Sequence, residues 1–570
     1  MTNLKGRLKI SQEEFEQYPH TLCGIIDKWA EELPDKDAFI IYDTQKKYTY
    51  KEFQQNIDVM AFKLYNMGFR KGDICVTSLP YLDKHIFLGY ACAKLGVMWT
   101  PLDLRLKPPE IMRCLEILKD KAKMYCHLGK TAAANFGMIG AAVRKNSPWL
   151  KYVVQFSDPD DRYRKGILPA YEIADEAEKE YKEAMQNPDS MNDYREECAK
   201  VGGKDPVMIV FTTGSTGFPK PAMLKNEGII CQNMCLAKAF GLERTDIMIV
   251  NLPPSHVGGT TEQFCTTLFG GGTNIVLHIF DAEKTLDAVQ KYNATVMGQI
   301  PALYAMEWRL PNYSDYDLSS LRFVICAGQS VDRPFLEKLR KMAPQIGGGL
   351  GLTETSGFCS YITVKENWED FVTALGTDFP IYPMSIRKSM NADGTAGEEL
   401  PKGEIGEICY KGPQTFLGYF GKEEETKMTL SKEGYLYTGD MGYIAEDGLH
   451  LEGRRKFLIK PKGYQVFPPE VEAYIAEMEK VESVAIVGAK HEVFTEGIIA
   501  YIKVKEGETL NKEEVMEHCK GIAAYKRPSL IVFIDEFPLN RVAKTDYVSL
   551  KDRVPEDIEK AREEGGWDAA

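Results

Sequence analysis

The 570-residue sequence has no apolar run long enough to span a bilayer, so nothing in it reads as a transmembrane helix. Its first residues, MTNLKGRLKISQEEFEQYPH, contain no apolar core, and no signal peptide is expected. The 13 cysteines are odd in number, and none has the CxxC spacing of a zinc site. Cys231 and Cys235 lie one helical turn apart, which suits packing better than metal binding. This usage fits a reducing, cytoplasmic setting. There is no surplus of positive charge: the net charge of -13 speaks against a surface built for nucleic acid or anionic lipid. A local basic pocket could still hold a nucleotide. No internal repeat is evident. With 44% hydrophobic and 27% charged residues, the composition is that of a globular protein, and the length calls for two or more cores.

Short apolar runs alternate with helical patterns. Residues 38–42, 74–79, 97–101, 124–128, 152–156, 207–211, 247–251, 274–278, 295–299 and 322–326 read as strands, and 51–67 and 84–94 as helices. The alternation predicts α/β layers with largely parallel sheets. Residues 157–204 are polar and read as a solvated helical excursion. Glycine and acidic clusters at 391–407 suggest hairpin turns, and 406–418 a β region. The pattern changes at Gly453-Arg454-Arg455-Lys456. The roughly 110 residues beyond suit a small domain, with strands at 457–460, 484–487, 497–504 and 530–534 and a helix near 512–519.

The stretch FTTGSTGFPKP, 211–221, follows a buried-strand pattern with a turn rich in glycine and hydroxyls. Such a turn lets backbone N–H groups approach an anion, and Lys220 adds a point charge. A polyphosphate fits that chemistry; a plain Ser/Thr/Gly surface loop is the alternative. It is not a Walker loop, because Pro221 follows the lysine where a Ser or Thr would open a helix.

Four more motifs follow in order: Ala327-Gly328-Gln329-Ser330, then Gly349-Leu350-Gly351-Leu352-Thr353-Glu354, then Tyr437-Thr438-Gly439-Asp440 ahead of Gly453-Arg454, and finally Pro538-Leu539-Asn540-Arg541-Val542-Ala543-Lys544. Together with the glycine loop they resemble the adenylate-forming superfamily of acyl-CoA synthetases, peptide-synthetase adenylation domains and beetle luciferases, over nearly the whole chain. The resemblance implies a large N-terminal region, 1–453, of two α/β subdomains and a β-barrel-like subdomain. A hinge at 454–457 and a small mobile α+β domain, 458–570, would complete the chain.

It also implies a two-step reaction. A carboxylate attacks ATP to give acyl-AMP and pyrophosphate, and coenzyme A then displaces AMP. Thr212, Thr213, Gly214, Ser215, Thr216, Gly217 and Lys220 would hold the β- and γ-phosphates. Glu354 would ligate magnesium and Thr353 would bond the α-phosphate; a helix cap is the structural alternative for both. Gly328, Gln329 and Ser330 would line the adenine pocket with Gly349, Leu350, Gly351 and Leu352. Asp440 would accept both ribose hydroxyls, and Arg454 would contact ribose and phosphate. Lys544 would bridge the incoming carboxylate and the α-phosphate. Lys456 occupies the hinge position, and Lys460, Gly463 and Gln465 would present the thioester-forming face.

Three positions depart from the family pattern: Leu350 stands where an aromatic residue commonly stacks on adenine, Pro221 replaces a glycine after the loop lysine, and Ala543 replaces one before the catalytic lysine. The acyl pocket would take His256, Val257, Gly258, Gly298, Ala327 and Ser356, with Gly258 and Gly259 leaving room. Amino-acid-activating members use an aspartate to hold the substrate amine; Glu262 would serve if it pointed inward, but is expected to face polar partners or solvent. The expected substrate is a medium-size monocarboxylic acid: aromatic, alicyclic or a medium-chain fatty acid. Delivery to a separate carrier protein and a non-catalytic nucleotide sensor are the competing readings. No nucleic-acid partner is expected, and a homodimer is compatible with the sequence.

Overall fold

The computed structural model describes residues 8–131, 134–212, 219–328, 331–365, 371, 374–459, 461, 466–491, 495–539, 545–563 and 567. Two mainly parallel sheets dominate the first 365 residues. The seven-stranded sheet runs, edge to edge, Leu168–Pro169, Tyr152–Phe156, Ala122–Leu128, Ile74–Ser78, Met98–Pro101, Pro206–Phe211 and Pro221–Lys225. Only the last pairing is antiparallel, with Phe211 opposite Pro221. The eight-stranded sheet runs Ile362–Lys365, Gln345–Gly348, Phe323–Cys326, Val296–Gln299, Ile247–Val250, Thr273–Val276, Asp37–Ile41 and Lys47–Thr49, with antiparallel strands at its two edges. Strand Ile74–Ser78 is buried at every position. A central parallel strand covered on both faces needs such an unbroken apolar run.

One hydrophobic cluster joins the two sheets. Phe39 and Ile41 of one and Cys75 and Val210 of the other meet residues of helices Leu22–Glu32, Tyr50–Asn66, Asp83–Leu95 and Asn226–Phe240. Helix Tyr50–Asn66 starts with a capping box: Thr49 accepts from the Glu52 N–H while Glu52 accepts from the Thr49 N–H. The polar stretch expected to be a solvated excursion docks by one face. Helix Ala170–Met185 supplies Glu176 and Glu180 to the buried Lys63 Nζ at 2.7 and 2.5 Å, and Phe62 packs edge-on against Tyr181 and Tyr194. A buried ammonium must be paired, and this pairing fixes the helix in place.

The β region that follows is a four-stranded antiparallel meander, Met384–Arg387, Gly406–Tyr410, Leu436–Ile444 and Leu449–Arg454. Beyond it, strands Val481–His491, Thr495–Val504 and Leu530–Phe533 form a separate three-stranded sheet with its own apolar cluster. Helices Pro468–Ala476, Lys512–His518 and Tyr547–Glu563 accompany it. The strand expected at 457–460 is replaced by a one-turn 3-10 helix, Arg455–Phe457, and an isolated bridge between Ile459 and Val466. No helix of the described residues is long and apolar enough to cross a membrane.

Candidate active site

Strands of both sheets deliver the residues just past their C-terminal ends to one cavity of about 1010 Å³. Leu79 and Pro80 follow Ile74–Ser78, residues 102–105 follow Met98–Pro101, and Thr212 follows Pro206–Phe211. From the other sheet, residues 251–256 follow Ile247–Val250, Ile300 follows Val296–Gln299, and Ala327 and Gly328 follow Phe323–Cys326. In open α/β sheets this crevice is where ligands bind, because chain reversals there place loops and free backbone groups side by side.

One end of the cavity is charged. The Thr212 N–H donates to the Lys220 carbonyl at 2.8 Å and the Lys220 N–H to Thr212 Oγ1 at 3.4 Å, which closes the neck of the glycine loop as a hairpin. Lys220 Nζ lies 4.8 Å above the Tyr419 ring, and the Tyr419 hydroxyl donates to Glu354 Oε1 at 2.6 Å. Burial, and then the Glu354 carboxylate, push the Tyr419 hydroxyl well above its ordinary value, so it stays a neutral donor. The Phe416 N–H donates to the Glu354 carbonyl and fixes that turn. In the meander, strand register sets Asp440 opposite Arg454, whose Nε lies 2.9 Å from Asp440 Oδ1. Next to them Arg455 Nη1 pairs with Glu407 Oε2 at 3.0 Å, and Glu407 Oε1 accepts from the Gly439 N–H. Among the described residues, no cluster of three or more His, Cys, Asp or Glu could hold a metal alone. The carboxylate of Glu354 on the cavity wall suits magnesium, an ion that commonly takes most of its ligands from phosphate and water.

The other end is mostly apolar and rests on an irregular helix. Residues Gly258–Phe264 form a π-helix, a widened turn that recurs at functional sites. It packs so closely that a Cβ at Gly259 would lie 2.5 Å from the carbonyl oxygens of both Leu252 and Pro253. Gly259 is therefore buried against backbone and makes no room in the cavity, contrary to expectation; Gly258 does line it. Beneath the wall a buried polar chain runs inward: Gln263 Nε2 to Asn251 Oδ1, Asn251 Nδ2 to Gln299 Oε1, and Gln299 Nε2 to Glu307 Oε1 at 2.8 Å. Burial pushes the Glu307 carboxyl up to about 8, with the Gln299 bond opposing. Also lining the cavity, His256 Nε2 stands 3.8 Å from Asp103 Oδ2, beyond hydrogen-bond reach. Arg105 bonds both oxygens of Asp103 at 2.9 and 2.5 Å. Burial alone would raise the Asp103 carboxyl, but the Arg105 bonds and the nearby His256 outweigh it and hold it well below the usual carboxylate range.

Of the residues singled out in the sequence, Thr212, Lys220, His256, Val257, Gly258, Gly298, Ala327, Gly328, Gly351, Leu352, Thr353, Glu354 and Arg454 all line this cavity. Asp440, 3% exposed, stands behind the wall on its Arg454 pair. Gly349 and Leu350 are also set back. Gly349 has φ 151°, and a Cβ there would meet the Ser360 carbonyl at 2.0 Å. Leu350 packs with the meander's apolar cluster, away from the cavity wall. Ser356 is fully buried and its carbonyl accepts from Thr261 Oγ1 at 2.7 Å. Glu262, expected to face polar partners or solvent, lines the cavity instead. Lys456 sits in the 3-10 turn that ends the meander. Thr213, Gly214, Ser215, Thr216, Gly217, Gln329, Ser330, Lys460, Gly463, Gln465 and Lys544 lie outside the described residues. Tyr419, Asp103, Arg105 and the Glu407–Arg455 pair were missed in the sequence. Asp103 and Arg105 could have been found, since they directly follow a parallel strand; Tyr419 could not, since its partner Glu354 is 65 residues away.

A family model described as "AMP-binding enzyme" matches residues 26–420, and one described as "AMP-binding enzyme C-terminal domain" matches 470–544. The chain belongs to the AMP-binding enzyme family. Relatives include a putative acyl-CoA synthetase, YngI, of Bacillus subtilis (24% identical, covering 94% of this chain and 97% of the relative). A 4-coumarate–CoA ligase of Nicotiana tabacum is 27% identical, covering 89% of each chain. Among solved structures, ATP-bound MatB from Rhodopseudomonas palustris shares the fold, with a TM-score of 0.76 at 23% identity over 94% of this chain and 99% of that one.

Proposed function

We propose that this AMP-binding enzyme is an AMP-forming carboxylic acid:coenzyme A ligase acting on a medium-size monocarboxylic acid, aromatic, alicyclic or a medium-chain fatty acid. The observation that carries the reading is the single crevice that joins a charged end, with Lys220, Glu354 and Arg454, to a mostly apolar end. An acid lying in the apolar end would reach the innermost phosphorus of a nucleotide held at the charged end. Relatives named 4-coumarate–CoA ligase and indoleacetate–CoA ligase support coenzyme A as acceptor and an acid of this size.

Two anions meet in the first step, so fixed positive charge must offset their repulsion. Lys220 and the loop 212–217 would face the β- and γ-phosphates. Thr353 would donate to the α-phosphate. Glu354, oriented by Tyr419, would hold magnesium, which when bound offsets phosphate charge. Asp440, held by its Arg454 pair, would take the ribose hydroxyls. Lys544 would arrive on the C-terminal domain to bridge the two reactants. Rotation at Lys456 would then withdraw it and bring Lys460, Gly463 and Gln465 to the crevice for thioester formation. The unit 1–453 would form the adenylating body and 458–570 the moving domain. A cytoplasmic location and homodimer formation complete the reading.

The test is to supply ATP, magnesium, coenzyme A and a panel of acids, and to measure AMP and thioester together. Equal amounts of both, dependent on one class of acid, are expected. AMP without thioester would move the acceptor to a carrier protein.

A further inference from the structure

The cavity holds a carboxyl, that of Glu262, which the proposed reaction does not use. Glu262 projects from the π-helix toward the turn that carries Thr353 and Glu354. Its carboxyl crowds the space that side chains at Gly351 and Gly357 would occupy and touches that of Gly258. A Cβ at Gly351 would lie 3.2 Å from Oε1, one at Gly357 2.9 Å from Oε1, and one at Gly258 3.7 Å from Oε2. The niche is thus cut in the backbone around the carboxyl, and the cavity lies open before it.

What the niche supplies is too little for a carboxyl group, which offers about four lone-pair sites. Among the described residues the Phe358 backbone N–H is the one group near enough to favour its ionised form, and neither lysine nor arginine is placed to pair with it. Leu236, Met248, Ile325 and Phe358 line the same cavity, and the one amide beside the niche, Gln232 Nε2, stands 3.0 Å from a Cβ placed at Gly357 without bonding the carboxyl. Burial accordingly holds the carboxyl up at about 8. An apolar acid filling the cavity would strip water from Glu262 and return nothing. A hydroxyl or ammonium group on the acid would restore the missing donor. A site that hydrogen-bonds a substrate group discriminates strongly against analogues lacking it, because its own polar group is then left unpaired.

We propose that Glu262 is a specificity residue that selects acids bearing a hydrogen-bond donor, hydroxyl or ammonium, on the acyl body that lies against Gly351. The proposal rests on the acid-activating reading of this cavity.

The experiment measures kcat/KM for thioester formation on two matched series. One is 3-phenylpropanoic acid with its ring-hydroxyl and ring-aminomethyl derivatives; the other is hexanoic, 6-hydroxyhexanoic and 6-aminohexanoic acids. In the wild-type protein a donor-bearing acid of at least one series should exceed its unsubstituted parent by about tenfold or more. Glu262→Leu should reverse that order. Glu262→Gln separates the two donors: it should keep a preference for hydroxyl and lose at least about tenfold on ammonium, since an amide can accept a hydrogen bond but carries no charge. A wild-type preference for the unsubstituted acids overturns the proposal without any variant. So does an unchanged ratio in Glu262→Leu. If AMP is released but no donor preference exists, the Glu262 assignment alone is lost; if no acid releases AMP, the reading of the cavity falls and takes the assignment with it.

Discussion

The two ends of the cavity are built from different materials. At the charged end, side chains are held in pairs across strands or between turns: Arg454 with Asp440, Arg455 with Glu407, Tyr419 with Glu354. At the apolar end the shape comes from close backbone contacts of a π-helix, and one carboxyl stands nearly unaccompanied. Binding a phosphate chain is a fixed chemical task and demands fixed residue types. Accepting an acyl body is a matter of volume and of a few placed polar groups, and each enzyme can solve it separately.

Substitutions at the two ends should therefore fail in different ways. The largest effect is expected at Lys544: alanine there should lower adenylate formation by about 10²-fold or more, while thioester formation from supplied acyl-AMP stays nearly intact. Equal loss of both half-reactions would contradict a domain that presents two faces in turn. Next comes Glu354→Gln, which should reduce kcat/KM for ATP by roughly 10²-fold with little change in KM for the acid. A matching rise in the acid's KM would mean that the two ends are not separate.

At the apolar end, Gly259→Ala should destabilise the fold by about 1–3 kcal/mol through overpacking, because both atoms within 2.5 Å of the new Cβ are backbone oxygens. Gly258→Ala meets the flexible Leu252 side chain at 3.0 Å; it should leave the melting temperature nearly unchanged and alter the order of preferred acids. Thermal melts of the two variants, side by side, would show whether the wall is as rigid as its contacts imply.

The last effect concerns pH. Glu307 holds its proton in the folded state up to about 8, whereas the unfolded chain releases it near the ordinary value of 4.5. Between those values the unfolded state binds fewer protons, so stability falls as pH rises. Glu262 acts in the same sense. Glu307→Gln should flatten the decline in denaturation midpoint between pH 5 and about 8, leaving the Glu262 part; an unchanged slope would show that Glu307 is ionised when folded.

The division between the ends also explains what could be read from the sequence. The parallel strands were legible because buried strands must be apolar throughout, and Lys220, Glu354 and Arg454 could be picked out because phosphate chemistry restricts residue types, whereas Tyr419 and the Glu407–Arg455 pair could not. Leu350 was assigned to the nucleotide by its register with the family motif; here, after Gly349 with its φ of 151°, it packs against the meander's apolar cluster, a contact with residues far along the chain that the motif could not reveal. Residues 157–204 looked solvated because Lys63, the buried partner of Glu176 and Glu180, lies in a helix more than 100 residues earlier. The direction of Glu262 was illegible for a similar reason. A π-helix shifts side chains off the 3.6-residue register, so counting along the sequence could not tell whether it faced solvent or substrate.

The central claim is that an acid and a nucleotide meet in this one crevice before any thiol is involved. Exchange of labelled pyrophosphate into ATP, with acid present and coenzyme A withheld, tests it most directly. The account predicts exchange that requires the acid and proceeds without coenzyme A. Exchange that appears only when coenzyme A is added, or with no acid offered, would contradict it.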